Sequence, residues 1–397
     1  LERGEGDGSV CSTAVHQQPE GPETALFQEL TRRLDQTMKK LAGQDRLTED
    51  NIGDALRYGR DRKQFGQPLT SFPLIQGKLA DMAALAFAGE SATYRTAGLL
   101  DEAIAGIGEV DDHDRAVIEA IEDFSIECSI IKVLGSEVLD FAVDECVQIF
   151  GGYGYVEDYP AERYYRDARI NRIYEGTNEI NRMVITGTLL KRAMKGELPL
   201  LAAAKQVQDA LLAVPDFGDE VEKPAFADAM DLLDRLKKAI LLVSGVAALK
   251  FGPKIQSEQE VLAWLAVMAI DSFAFESAVL RARKIVASGK QAPMAQDLVD
   301  LLAVRTSQRM LQIGSEALAH FVEAAGGGLG IIGTIDKAQK LATAIKQDVS
   351  LRLAAIPFTE QYPAANGDEI TGYTLAFPVG CLSNHIQPIV HPLGRRG

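Results

Sequence analysis

Apolar residues recur at three- and four-residue intervals along most of this chain, the period of a helix with one buried face. Leu26, Leu30, Leu34, Met38 and Leu41 form such a stripe over Thr24–Leu41, with Gly43 as a stop. Thr48, followed by Glu49 and Asp50, has the character of an N-cap with acids in the first turn, and a second helix runs through Ile52, Ala55 and Leu56. The loop Phe65-Gly66-Gln67-Pro68 breaks it. Gln76–Leu100 is Ala-rich and helical, Asp111–Asp114 is an acidic loop, and Asp114–Phe150 reads as one long helix or two, ended by Gly151 and Gly152. Met183–Gly196 is helical again. Pro199, Pro215 and Pro224 bracket a linker, after which Ala225–Phe251, Glu258–Ser288, Ala295–Ala325 and Thr334–Ile356 carry further apolar stripes.

The fold class predicted is all-α: a helical bundle over 54–197, a linker over 198–224 and a second helical domain over 225–356. Residues 1–23 read as a disordered arm, 24–53 as a helical head, and 357–397 as an irregular tail in which Pro, Gly and strand formers replace helical periodicity. A weak echo links Leu134–Phe141, which leads to Gly151-Gly152-Tyr153-Gly154, with Ile313–Phe321, which leads to Gly326–Gly330.

Charge and composition narrow the class of partner. A formal charge of -15 repels phosphate backbones and anionic membranes, so nucleic acid is not an expected partner. Cys11, Cys128, Cys146 and Cys381 are scattered, without a Cys-x-x-Cys pair, and the five histidines show no ligand spacing. That pattern predicts a reducing, cytoplasmic setting and no metal site. The longest apolar run, Val261–Ile270, is interrupted by Asp271 and is too short for a transmembrane segment of roughly 20 residues.

Candidate chemistry concentrates in one stretch. Gln148-Ile149-Phe150-Gly151-Gly152-Tyr153-Gly154-Tyr155 is followed by Arg163, Arg166, Arg169 and Arg172 at three-residue spacing, and then by Ile173-Tyr174-Glu175-Gly176-Thr177-Asn178-Glu179. Glycines let backbone approach a ligand closely, although a helix ending in glycine is most often an ordinary C-cap. The arginines share a face that would meet phosphates or, as is usual, pair with nearby acids. Thr177 is placed to cap the next helix. Glu175 reads as a surface carboxylate or as a base, and an apolar pocket around it would raise its pKa towards neutrality and suit it to a weakly acidic carbon.

Four segments together resemble the C-terminal helical domain of the acyl-CoA dehydrogenases: Arg60–Gly66, Gln76–Met82, Gln148–Tyr155 and Arg166–Arg182. The likeness covers about Ala55–Leu200, and the region up to about Leu353 resembles the extra C-terminal domain of the very-long-chain type. The resemblance implies a four-helix bundle, FAD as cofactor, a fatty acyl-CoA substrate oxidised to a trans-2-enoyl-CoA in fatty acid β-oxidation, electron-transfer flavoprotein as acceptor, and a homodimer or higher oligomer. It implies Glu175 as the catalytic base and Gly176 as a substrate contact. Arg62, Lys63 and Gln64 would meet FAD phosphates or ribityl, and Phe72 would lie along the flavin. Gln148, Ile149, Phe150, Gly151 and Gly152 would hold the adenosine part of a neighbouring subunit's FAD, and Thr177, Asn178 and Glu179 would form the next FAD-contacting turn. Pro73 departs from the polar residue more usual after the Phe72 position.

The family's N-terminal helical and β-barrel domains have no counterpart ahead of Arg60. Instead, Leu30–Leu34 and Leu47–Ile52 resemble the first helices of the signal recognition particle GTPase N-domain, without a GTP-binding loop. The expectation is a fragment or fusion joined near Gly53 that binds FAD weakly or only beside a complete partner chain. The competing expectation is a non-catalytic helical oligomerisation module derived from the same family.

Overall fold

A computed structural model describes residues 51–108, 110, 112–210, 225–289 and 292–323. The stripe at Thr24–Leu41, the cap at Thr48, the helix Thr334–Ile356 and the tail lie outside these residues. Ten α-helices occupy the described residues: α1 (51–61), α2 (Pro73–Ala105), α3 (His113–Asp123), α4 (Ser125–Phe150), α5 (Ala161–Arg169), α6 (Asn178–Met194), α7 (Leu200–Ala210), α8 (Ala227–Phe251), α9 (Gln259–Ala287) and α10 (Ala292–Glu323). The architecture is all-α, as the periodicity predicts.

The helix boundaries have local causes. Pro73 opens α2, where a missing N–H costs nothing, and the Asp112 carboxylate caps α3 by accepting from the Arg115 N–H at 3.0 Å. The expected run from Asp114 to Phe150 is two helices, because the chain bends at Phe124 between α3 and α4. Gly151, at φ 60°, ends α4 and starts a 3-10 turn over Gly151–Tyr155.

One feature departs from pure helix. Lys63–Gln64 (β1) pairs antiparallel with Gln67–Pro68 (β2), Lys63 opposite Pro68 and Gln64 opposite Gln67. Phe65 and Gly66 between them have φ of 52° and 84°, the two positive values of a type I′ turn. The expected loop is therefore a tight hairpin that throws Phe65 into solvent, 94% exposed, edge-on to Phe72 at 6.2 Å.

α9 is the central element. Its buried residues, among them Val261, Leu265, Met268, Phe275 and Val279, face α2, α4, α6, α8 and α10. By length and composition this helix is apolar enough to cross a membrane, yet 67% of its most apolar window is buried in the packing, as in a soluble core helix. One hydrophobic core runs from Phe87 and Val133 through Ile185 to Leu236, Phe275 and Phe321, so the segments expected as two domains share it. The segment expected as linker opens with α7, whose Ala204 and Val207 are buried; 211–224 lie outside the described residues. A second core, of Ala55, Leu79, Met82, Cys146, Ile149 and Phe150, ties α1, α2 and α4 together beneath the hairpin. Trp264 packs against the larger core, edge-on to His320 at 5.5 Å.

Candidate active site

The Glu175 turn lies between a 3-10 turn at Ile170–Arg172 and the first turn of α6. Glu175 has φ 57° and Gly176 φ 79°, so two successive residues adopt the left-handed conformation. A glycine enters that region freely, whereas a glutamate does so at a cost of roughly 1 kcal/mol and persists only where its surroundings hold it. Those surroundings are visible. The Asn181 amide donates to the carbonyls of Gly176 at 2.8 Å and Thr177 at 3.1 Å, and the Thr177 hydroxyl accepts from the Ile180 N–H at 3.3 Å. From α4, the Lys132 ammonium donates to the Gly176 carbonyl at 2.6 Å and to Asn178 Oδ1 at 2.7 Å. Burial pulls Lys132 below its ordinary pKa, opposed first by the nearby Glu175 carboxylate and then by Glu179 and Glu137.

The Glu175 residue is exposed. The apolar pocket expected around it is therefore not built by the described residues. Glu179 is held below the usual carboxylate range by its own backbone N–H and then by the Thr177 hydroxyl.

The other residues singled out above divide into outward and inward groups. Arg62, Lys63, Gln64, Gln148, Gly151 and Gly152 are exposed, and Phe72 is half-buried at the start of α2. Arg62 sits over the Tyr153 ring at 5.5 Å, which joins the hairpin to the glycine turn. A Cβ added at Gly151 or Gly152 would meet nothing within 4 Å, so backbone there is open to a ligand. Ile149 and Phe150 instead point into the core, Phe150 stacking on Tyr58 at 4.2 Å, so their side chains are not available to a cofactor. Asn178 is buried too, its amide occupied by Lys132, Ser136 and Glu137. Arg166 faces Glu162 at 3.8 Å and Arg172 pairs with Asp140 at 2.8 Å, the salt-bridged arrangement usual for such a stripe. Sequence reasoning missed Lys132 and Glu137, which lie on α4, 44 residues from Gly176 and 41 from Asn178 respectively; α4 carries four other acidic residues, so Glu137 does not stand out locally.

Fold and site together define an all-helical protein with a strained acidic turn, an exposed basic hairpin and a bare glycine corner. The "Acyl-CoA dehydrogenase, C-terminal domain" family models match residues 42–190 and 235–327. The chain carries the C-terminal domains of the acyl-CoA dehydrogenase family. It is 38% identical to a "Probable acyl-CoA dehydrogenase" of Bacillus subtilis over 74% of this chain and 50% of that protein. It is 39% identical to the short-chain specific acyl-CoA dehydrogenase of Megasphaera elsdenii over 36% of this chain and 33% of that one. The solved acyl-CoA dehydrogenase of Bacillus anthracis, complexed with FAD, superposes with a TM-score of 0.69 at 37% identity, over 79% of this chain and 53% of that chain. The chain thus spans half or less of the length of these curated relatives.

Proposed function

We propose that this chain supplies the base and part of the flavin-facing surface of an FAD-dependent acyl-CoA dehydrogenase. The strained turn that presents Glu175 at φ 57° carries the reading, since a side chain held there against its preference marks a constraint other than stability. The Glu175 carboxylate accepts the proton from the α-carbon of a fatty acyl-CoA thioester, and the C–H electron pair becomes the new Cα=Cβ bond. FAD, when bound, supplies the acceptor for the hydride leaving the β-carbon. A thioester laid over the turn would itself exclude water from the exposed carboxylate. The Gly176 carbonyl is already taken by Lys132 and Asn181, so Gly176 serves the substrate by close backbone approach.

The outward-facing residues and the half-buried Phe72 fit a flavin dinucleotide. Arg62 and Lys63 offer cationic donors for phosphate, Gln64 an amide, Phe72 an aromatic edge, and Gly151 and Gly152 unobstructed backbone. Thr177 and Glu179 stand at the opening of α6, where a ligand would meet N–H groups. Electron-transfer flavoprotein is the proposed acceptor; a 31% identical Acetobacterium woodii relative bears the name of a caffeyl-CoA reductase-Etf complex subunit. A homodimer or higher oligomer would bring one chain's glycine corner to another's flavin.

The exposure of Glu175 favours one alternative, a non-catalytic oligomerisation module. The two separate in one assay: chain, FAD, a long-chain acyl-CoA and an artificial electron acceptor, beside Glu175→Gln. Loss of a positioned base lowers turnover by about 10²–10⁴-fold. Equal turnover, or none in either, supports the module.

A further inference from the structure

A continuous polar path leaves the Glu175 turn and ends in the second helical region. Lys132 holds both the Gly176 carbonyl and Asn178 Oδ1. Asn178 Nδ2 donates to Glu137 Oε1 at 3.3 Å, and the same oxygen accepts from Arg182 of α6. The other oxygen, Glu137 Oε2, faces Arg309 of α10 at 3.7 Å, and Arg309 Nε reaches Asp271 Oδ2 of α9 at 3.2 Å. Four helices are joined in this way.

The far end is costly. The Asp271 side chain is 10% exposed, and Oδ2 gains no well-aligned hydrogen bond beyond its ion pair. Burying a carboxylate costs several kcal/mol, and a well-packed apolar pair of similar volume is often neutral or stabilising by comparison. Core stability alone therefore gives little reason for a charge in the middle of α9. The other ion pairs of α9, Arg281 with Glu90 and Glu276 with Arg95 and Lys237, run instead to α2 and α8 and have exposed or half-buried partners.

We infer that Arg309 and Asp271 are positioning residues for Glu175: by fixing the Glu137 carboxylate they hold Asn178 and Lys132, and through them the left-handed turn. Its meaning for catalysis rests on the reading of Glu175 as the base; the mechanical coupling does not. Helices α9 and α10 thereby contribute to the site without touching substrate.

Hydrogen exchange on the full chain tests the coupling, comparing wild type with Arg309→Met, Arg309→Lys and Asp271→Asn. Exchange over 174–181 should quicken about tenfold in Arg309→Met and Asp271→Asn, with partial recovery in Arg309→Lys, while 242–247 of α8 stays unchanged. Unchanged exchange at the turn overturns the inference. So does equal quickening in α8, which would mark an ordinary stabilising pair. Should Arg309→Met fail to fold, Arg309→Lys and Asp271→Asn carry the same comparison. Glu175→Gln keeps the functional question separate: wild-type turnover in that variant removes the base assignment and leaves the exchange result standing or falling on its own.

Discussion

Replacing Asp271 by Asn should change how stability depends on pH, by an amount that follows from burial. Desolvation pushes the Asp271 carboxyl up from 3.8 to about 6, against the pull of Arg309 and then with the push of Glu137. The native state therefore keeps this proton to higher pH than the unfolded chain does. Between the two values it binds more protons, so this contribution is full below the unfolded pKa and is lost as pH rises through the folded one. One unit below the folded value, at about pH 5, roughly 1.4 kcal/mol of it remains, and at about pH 7.5 almost none. Asn does not titrate, and groups common to both proteins cancel in the difference. The stability of wild type relative to Asp271→Asn should thus fall by roughly 1.4 kcal/mol between those two conditions. Urea unfolding followed by Trp264, the single tryptophan and a residue of α9 itself, reads the difference, with dilute protein because the pI is about 4.9. A difference that is flat with pH, or that grows in the opposite direction, refutes the claim that this carboxylate is desolvated.

Three further outcomes are expected. Gly at position 175 should be more stable than Ala there by about 1 kcal/mol in denaturant unfolding, reversing the usual order, because φ 57° penalises any Cβ. Gly154→Ala should destabilise by about 1–3 kcal/mol, since its Cβ would stand 2.6 Å from the Val147 carbonyl in backbone that has no flexible end to move; an unchanged melting temperature would refute this. Burial pushes the Cys146 thiol up to about 12, so in the native chain peptide mass spectrometry should find Cys146 unmodified by iodoacetamide near pH 8, and alkylated once urea unfolds the protein.

Much of the helical layout is legible in the residues alone. The stripes at Ala225–Phe251, Glu258–Ser288 and Ala295–Ala325 correspond to α8, α9 and α10 with ends displaced by only a few residues, because periodicity and glycine or proline punctuation act locally. The candidate turn was visible for the same reason: Glu175, Gly176 and Thr177 are neighbours in the chain. Asp271 also announced itself, as the charge that interrupts the longest apolar run.

Direction and partnership came only with the packed structure. Sequence placed Ile149 and Phe150 beside a ligand, and packing turned both into the core beneath the hairpin. It marked Glu175 but left open whether the carboxylate lay in a pocket, and the structure exposes it. The network from Lys132 through Glu137 and Arg309 to Asp271 has no sequence signature, because its members are brought together by helix packing across long stretches of chain. A local pattern sets which face of a helix is apolar, whereas the identity of what meets that face depends on how all the helices close over one core.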